Sequence, residues 1–335
     1  DEPQQGSFEA FGEESSCHQA ERTGPGAESA AFAPGTIAAM EPTVAILGAG
    51  SMGEILALGL LRAGWSIESI TMAARRPERA KEAERQTEIK TVLDPAEAIA
   101  GKRAVIIAVK PKDVPHLLTQ IAPAIQADQL VISLAAGVPI AVYERALPGT
   151  PVIRSMPNTP AAVAEGMSAY CGGTAVDEDA FARADAILSA VGETIRLSED
   201  LLDAVTAISG SGPAYVFLLA ESLTEAAIRE GLPHHAAEKL VDQMIRGAGI
   251  LLQGSEKSAF RLRGEVTSPG GTTAAAVHVL EDGGFRALME DAVRSAADRS
   301  QTLGEQAAAD VAARHPVPTE PGEEGGSDGR HSGAR

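Results

Sequence analysis

Aromatic side chains are scarce in this chain: one Trp, three Tyr and seven Phe make up 3% of its 335 residues. Any core must therefore be filled by Ala, Val, Leu and Ile, which the 44% hydrophobic content allows. Cysteine is rarer still. Cys17 and Cys171 cannot form a disulfide framework, and Cys17 sits in a polar stretch, so a reducing compartment is expected. No apolar run reaches ~18 residues, and no basic segment precedes an apolar start. Neither a membrane span nor a signal peptide is expected, and a cytoplasmic location follows. Cations are outnumbered, 28 Lys and Arg against 46 acids, for a net charge of −18. That balance argues against a nucleic-acid or anionic-membrane partner. Much of the excess lies at the ends, since residues 1–40 hold seven acids and only Arg22. Metal-ligand spacing is missing too: His234 and His235 are adjacent, His278 stands alone, and no metal site is expected.

What is present is a change of pattern along the chain. Residues 1–39 and 309–335 are rich in Gly, Glu, Pro and Ser without apolar period, and read as disordered tails. The folded body is expected to begin near Met40. Apolar runs at Val44–Leu47, Ile67–Ala73, Ala104–Val109, Leu130–Leu134 and Val152–Arg154, with a weaker one at Glu88–Thr91, predict buried strands. Helical patterns at Met52–Ala63, Pro77–Arg85, Val114–Ile125 and Ile140–Ala146 lie between them. A last unit pairs helix Asp177–Ala190 with strand Glu193–Leu197. This alternation predicts an α/β domain over 40–200, a Rossmann-type doubly wound parallel sheet. After about Asp200 only helical spacing remains, so an all-helical domain is expected over 201–308. Its helices show wide apolar faces for so few residues, which favours burial against another subunit.

Gly48-Ala49-Gly50-Ser51-Met52-Gly53 follows the first strand and opens the first helix. Gly48 permits the tight turn, Gly50 lets a pyrophosphate reach the backbone, and Gly53 lets helix and strand pack closely. The second strand ends in Ala73-Ala74-Arg75-Arg76-Pro77, where an acid would bind the ribose hydroxyls of NAD. Arg75 and Arg76 suit a 2′-phosphate instead, so NADPH is the expected cofactor, with NADH as the alternative. Ala108-Val109-Lys110-Pro111 and the Leu134–Gly137 segment, with Ala136, end the fourth and fifth strands, where ligands of doubly wound sheets bind. Lys110 is not assigned as an acid. Asn158, between Pro157 and Pro160, is a candidate for orienting the nicotinamide or the substrate. The small residues of Ser209-Gly210-Ser211-Gly212 before Pro213 read equally as a substrate wall or as close helix packing.

Val266-Thr267-Ser268-Pro269-Gly270-Gly271-Thr272-Thr273 runs into a helix, and no Asp, Glu, Lys or Arg lies between Val266 and Leu280. Ser268 is expected to be the N-cap and Pro269 the first helical residue. Unpaired amides at a neutral helix start make a pocket for a small anion, and Thr272 and Thr273 add hydroxyls that donate and accept.

Taken in order, these stretches resemble the pyrroline-5-carboxylate reductase family from about Thr43 to Thr302, and Val266–Glu281 is similar to its signature. The resemblance implies a Rossmann domain followed by a helical dimerisation domain. It implies homodimers, often five to a ring, with the active site near the dimer interface. It further implies NADPH-dependent reduction of 1-pyrroline-5-carboxylate to L-proline, the last step of proline biosynthesis. By resemblance, Ser268, Gly271, Thr272 and Thr273 hold the substrate's carboxylate and ring nitrogen, and Glu199 lines the pocket. Thr273 is then the catalytic candidate, hydrogen-bonding the imine nitrogen.

Two positions depart from the family pattern. Leu93-Asp94-Pro95-Ala96 lacks the Asn that many relatives place near the adenosine ribose, and Lys102-Arg103 stands where relatives often have an acid. Two alternatives are weighed. A 3-hydroxyacid dehydrogenase shares the layout but needs a Lys where this chain has Val216. A catalytically silent NADP-binding regulator would have no use for an uncharged anion pocket at Ser268–Thr273.

Overall fold

The computed structural model describes residues 43–314. The two expected tails and the start near Met40 lie largely outside these residues. The chain order is β1 (Val44–Leu47), α1 (Ser51–Arg62), β2 (Ile70–Ala73), α2 (Pro77–Thr87), β3 (Thr91–Val92), α3 (Pro95–Ile99), β4 (Ala104–Ile107), α4 (Val114–Ile121), β5 (Leu130–Ser133), α5 (Ile140–Ala146) and β6 (Val152–Met156). It continues through β7 (Gly166–Gly172), α6 (Glu178–Leu188), β8 (Gly192–Arg196), α7 (Leu202–Val205), α8 (Gly212–Arg229), α9 (His234–Gly254), α10 (Ala259–Glu265), α11 (Thr272–Asp282) and α12 (Phe285–Arg314).

The strands form one eight-stranded sheet in the order β3-β2-β1-β4-β5-β6-β7-β8. Strands β1 to β6 are parallel, with the order reversing between β1 and β4 as in a dinucleotide-binding fold. The expected doubly wound sheet is parallel from β3 to β6, and β7 and β8 run antiparallel to those strands. β7 was not anticipated, and it pairs antiparallel to β6 with Ser155 opposite Tyr170. Its sequence, GMSAYCG, is short and mixed, and only the 3-10 turn Thr159–Val163 separates it from β6, so no helix announces it.

Each face of the sheet carries its own core. On one side Leu56, Leu60, Ala83, Ala184 and Ile187 of α1, α2 and α6 cover Val44, Ile46, Ile106 and Ile132. On the other, Leu117, Leu118, Ile121 and Tyr143 cover Leu47, Val105, Ile107 and Val131. Ala307 and Val311 of α12 join that second core. A tail expected from residue 309 is therefore helix as far as Arg314, because Val311 is buried. Small residues allow close crossings where aromatics are few. A Cβ on Gly304 would lie 2.1 Å from the Gly137 oxygen, so α12 lies directly on the loop after β5.

Other boundaries shift for local reasons. Ile67–Ser69 is a 3-10 turn before β2. Glu88 closes α2 in a left-handed conformation, φ 60°, so the weak third strand starts only at Thr91. The helix expected to reach Ile125 ends at Ile121.

After β8 the described chain is helical. No residue of α8, α10 or α11 is buried, and α9 buries only Ala237 and Val241. Phe217, Leu218, Leu240, Ile250, Phe260, Val279 and Leu288 are all exposed. Among the described residues one stretch, Glu199–Arg229, is long and apolar enough to cross a membrane by length and composition. It is broken by a π turn at Thr206–Gly210 and carries Glu199, Asp200 and Asp203 at one end and Glu221 and Glu225 towards the other. Continuous apolar faces on several neighbouring helices are what an interface between protein chains requires.

Candidate active site

The carboxyl ends of β1, β2 and β4 converge on the glycine loop. Gly48 has φ 119°, and a Cβ there would lie 2.7 Å from the Ala108 oxygen, so only glycine fits this turn. A Cβ on Gly53 would lie 2.1 Å from the Gly48 oxygen and 3.3 Å from Ile46 Cγ2, which fixes the close approach of α1 to β1. Gly50, the N-cap of α1, differs. No atom lies within 4 Å of its would-be Cβ, and no side chain caps the helix. Packing does not demand glycine there, whereas a pyrophosphate laid against the amides would. Ala49 is buried, while Ser51 is exposed and Met52 half-buried on the first turn.

Beside this loop lies a cleft of about 200 Å³ lined by Leu47, Gly48, Ala73, Ala74, Arg75, Leu93, Pro95, Val109, Asp113, His116, Leu117 and Gln120. Arg75 reaches Asp113 at 3.3 Å and is mostly exposed; Arg76, the N-cap of α2, is exposed too. Leu93 and Pro95 give an apolar wall, and Asp94 caps α3 through the Ala96 N–H. Open glycine, uncapped amides, an apolar slot and an exposed guanidinium at its rim fit a phosphorylated dinucleotide.

Sequence reasoning missed Arg79. Its Nε donates to the Ala49 carbonyl at 2.5 Å and its guanidinium pairs with Glu54, so α2 holds the glycine loop from behind. The signal was present as a third Arg in Arg75-Arg76-Pro77-Glu78-Arg79, but nothing local shows that it turns inward.

Ala108 and Val109 are half-buried, Lys110 is exposed, and Pro111 opens a 3-10 turn into α4. Ala136 is half-buried on the loop beneath α12. Asn158 does not present a free amide. Its Nδ2 donates to Ser209 and its Oδ1 accepts from the Met167 N–H at 2.9 Å, so it ties β6, β7 and the π turn together. Gly210 packs on Met156 Cε, which favours the close-packing reading of the Ser209–Gly212 segment.

Glu199 is also committed. Its Oε1 accepts from the Ile140 N–H at 2.7 Å and from Arg154 at 3.2 Å. Arg154, buried on β6, also reaches Asp203 at 3.1 Å, and Asp203 accepts from Ser300 of α12 at 2.7 Å. Below this hub the Ser133 and Tyr143 hydroxyls share a short hydrogen bond at 2.5 Å, and burial raises the Tyr143 pKa far above its ordinary value.

The signature differs from expectation at its start. Ser268 is not the N-cap and Pro269 is not helical. The Gly271 N–H donates to the Ser268 carbonyl at 3.0 Å, and Gly270 has φ 70°, so Ser268–Gly271 is a type II turn with Pro269 and Gly270 at its centre. Helix α11 begins at Thr272 with Gly271 as N-cap and no side-chain cap. Ser268 and Thr272 are exposed, and Gly271 and Thr273 half-buried. The helix packs against α12. None of Ser268–Thr273 lines the cleft beside the glycine loop. Val216 sits on α8 with no Lys in its place. Among the described residues no group of His, Cys, Asp and Glu is arranged for a metal ion.

A glycine loop at the switch point of such a sheet, with a helical region after it, defines a nicotinamide-dependent oxidoreductase of the Rossmann class. A family model described as NADP oxidoreductase, coenzyme F420-dependent, matches residues 43–137, and one described as pyrroline-5-carboxylate reductase dimerisation matches residues 199–303. The chain is 41% identical over 284 residues to a pyrroline-5-carboxylate reductase of Mycobacterium tuberculosis, covering 78% of this chain and 96% of that one. It is 38% identical to the enzyme of that name from Synechocystis, covering 80% of this chain and all of the other. Among solved structures, a pyrroline-5-carboxylate reductase from Coxiella burnetii superposes with a TM-score of 0.72 at 34% identity, covering 79% and 99% of the two chains. One from Plasmodium falciparum with NADP bound gives 0.73 at 29%, with the same coverage. The chain belongs to the pyrroline-5-carboxylate reductase family.

Proposed function

We infer that this protein reduces 1-pyrroline-5-carboxylate to L-proline with NADPH, closing proline biosynthesis. Beyond family membership, the observation that carries this reading is the uncharged, uncapped start of α11 at Gly271–Thr273. A carboxylate there meets several amides and the positive end of a helix without a competing side chain. The half-buried Thr273, on the first turn of the same helix, is the candidate for hydrogen-bonding the ring nitrogen. Ser268, Gly271 and Thr272 are read as the remaining substrate contacts, and Glu199, held by Arg154 and the Ile140 N–H, as the candidate for the pocket wall.

The cofactor supplies the hydride. The protein's share is binding and orientation. Gly48–Gly53 hold the pyrophosphate, Arg75 and Arg76 face the 2′-phosphate, and Ala108–Pro111, Ala136 and Asn158 shape the nicotinamide side. Hydride adds to C5 of the ring, the C=N bond becomes a single bond, and nitrogen keeps a proton taken from solvent by the imine. A Thr hydroxyl is a poor acid, so Thr273 positions this nitrogen rather than protonating it.

The division at about residue 200 separates a cofactor domain, 40–200, from a substrate and dimerisation domain, 201–308. The exposed apolar faces of α8, α9 and α11 support a homodimer, and rings of dimers extend the same reading. The same dimer reading sets the substrate site near the interface, where the exposed helices α8, α9 and α11 would meet a second copy. A cytoplasmic setting fits the Cys content.

The test follows NADPH by absorbance: its loss on adding 1-pyrroline-5-carboxylate, and its formation on adding a panel of 3-hydroxyacids with NADP. Turnover confined to the pyrroline supports the reading. Tight NADPH binding with no turnover on any substrate would replace it with a regulator.

A further inference from the structure

Within one chain, the signature turn is held from the helices on both sides of it. α11 buries no residue and packs on α12. Its last turn carries Glu281, where a carboxylate faces the negative end of the helix dipole. Arg286 stands in the first turn of α12, a cation facing the positive end. Local preference is contradicted at both positions, which points to a purpose set elsewhere in the fold.

Three helices meet on that one carboxylate. Glu281 Oε1 accepts from Arg263 at 2.8 Å and from Arg286 Nη2 at 2.7 Å, and Oε2 accepts from Arg286 Nε at 2.8 Å. The Arg286 contact is bidentate, and hydrogen bonding from Arg286, then Arg263, brings the Glu281 pKa down to about 2. Arg263 lies in the last turn of α10 and works at both of its ends. Its guanidinium holds Glu281, while its carbonyl accepts from the Thr267 hydroxyl at 2.6 Å, one residue before the turn. Thr267 N–H is held as well, by Gly264 at 3.2 Å. The Ser268–Gly271 turn is thus suspended between α10 and α11, and the Arg263–Glu281–Arg286 clamp sets the distance between those supports.

We propose that Arg263, Glu281 and Arg286 are positioning residues for the substrate, holding the Ser268–Thr273 turn at the depth and angle its amides need. This rests on the reading that the turn binds the substrate carboxylate. None of the three touches the substrate. Loosening the clamp moves the turn and spares the cofactor cleft.

The experiment compares the full-length enzyme with Glu281→Gln and Arg286→Lys, measuring KM and kcat with 1-pyrroline-5-carboxylate, NADPH affinity by fluorescence, and elution volume. Glu281→Gln keeps the shape and loses the charge. It should raise KM for the pyrroline about threefold, the scale of a lost solvent-exposed ion pair. NADPH affinity and elution volume should stay at the wild-type values. Arg286→Lys, which keeps the charge and loses the fork, should fall between the two. If Glu281→Gln does not fold or dissociates, Arg286→Lys and Arg263→Lys carry the comparison. Unchanged KM in folded, assembled variants overturns the clamp and leaves the function intact. A wild-type enzyme that ignores the pyrroline removes the functional reading, and the clamp with it.

Discussion

Arg154 and Glu199 stand 3.2 Å apart, joining a buried strand to the first turn of the helical region. The guanidinium is almost wholly enclosed and also holds Asp203, which in turn accepts from Ser300 of α12. Sheet, connecting helix and C-terminal helix are bound through one cation. Replacing it by Met leaves two carboxylates without their shared cation, each keeping one neutral donor, Ile140 N–H for Glu199 and the Ser300 hydroxyl for Asp203. Arg154→Met should cost about 3–5 kcal/mol, the usual penalty for removing one member of a buried ion pair. Urea unfolding would measure it, and an unmoved midpoint would show the hub to be ornamental.

The glycines of the first loop have different reasons to be glycine. Gly53→Ala drives a methyl into the Gly48 carbonyl and should lower stability by roughly 1–3 kcal/mol, as overpacking does. At Gly50 a methyl meets no protein atom within 4 Å. Gly50→Ala should therefore leave the melting temperature alone and weaken NADPH binding by at least about tenfold, through lost contact with the amides. Calorimetry and fluorescence titration separate the two. Equal effects on both properties would contradict the assignment.

Thr273→Val keeps shape and removes the hydroxyl. Turnover with 1-pyrroline-5-carboxylate should fall about a hundredfold, the scale of lost orientation at a reacting centre, while NADPH titrates as before. Parallel loss of both would place Thr273 in the fold rather than at the ring nitrogen.

Arg75 and Arg76 are expected to read the 2′-phosphate. The double change to Ala should weaken NADPH about tenfold or more and leave NADH nearly unaffected, since each contact with a phosphate is charge-assisted. Steady-state kinetics with both cofactors gives the ratio. A uniform loss would assign the pair to general attraction instead.

Alkaline pH should weaken the fold through two buried groups. Burial, aided by Glu199, pushes the Cys171 thiol from 9.0 to about 11, and burial raises Tyr143 as well. Both stay protonated in the fold when the unfolded chain has begun to ionise. Their contribution is complete below pH 9 and drains away as pH rises through about 11 for the thiol. Cys171→Ser or Cys171→Ala should flatten the stability profile between those limits. An identical profile would mean that another group governs it.

Most of the cofactor half was legible from residue order. Val44–Leu47 followed by Gly48–Gly53 needs little besides its own pattern, because a buried parallel strand is continuously apolar and a tight turn onto a helix demands glycine at set positions. Strand β7 was not legible. It is reached without a helix, and its Gly-bounded, mixed sequence has neither a long apolar run nor clean alternation. The N-cap at Ser268 was misread for a related reason: Ser-Pro serves a helix start and a turn equally well, and the left-handed Gly270 decides for the turn.

Local chemistry alone determined that this chain builds a dinucleotide fold, sets two Arg after its second strand, and opens a late helix without charged side chains. Those features depend on neighbours within a few residues, and period and spacing express them directly. Only the folded chain could decide what Arg79, Asn158, Arg154 and Glu281 do, because each bonds a group that lies on another element of the fold. Such pairings arise when packing brings distant segments together. A side chain's own sequence context carries no record of the partner it will meet there.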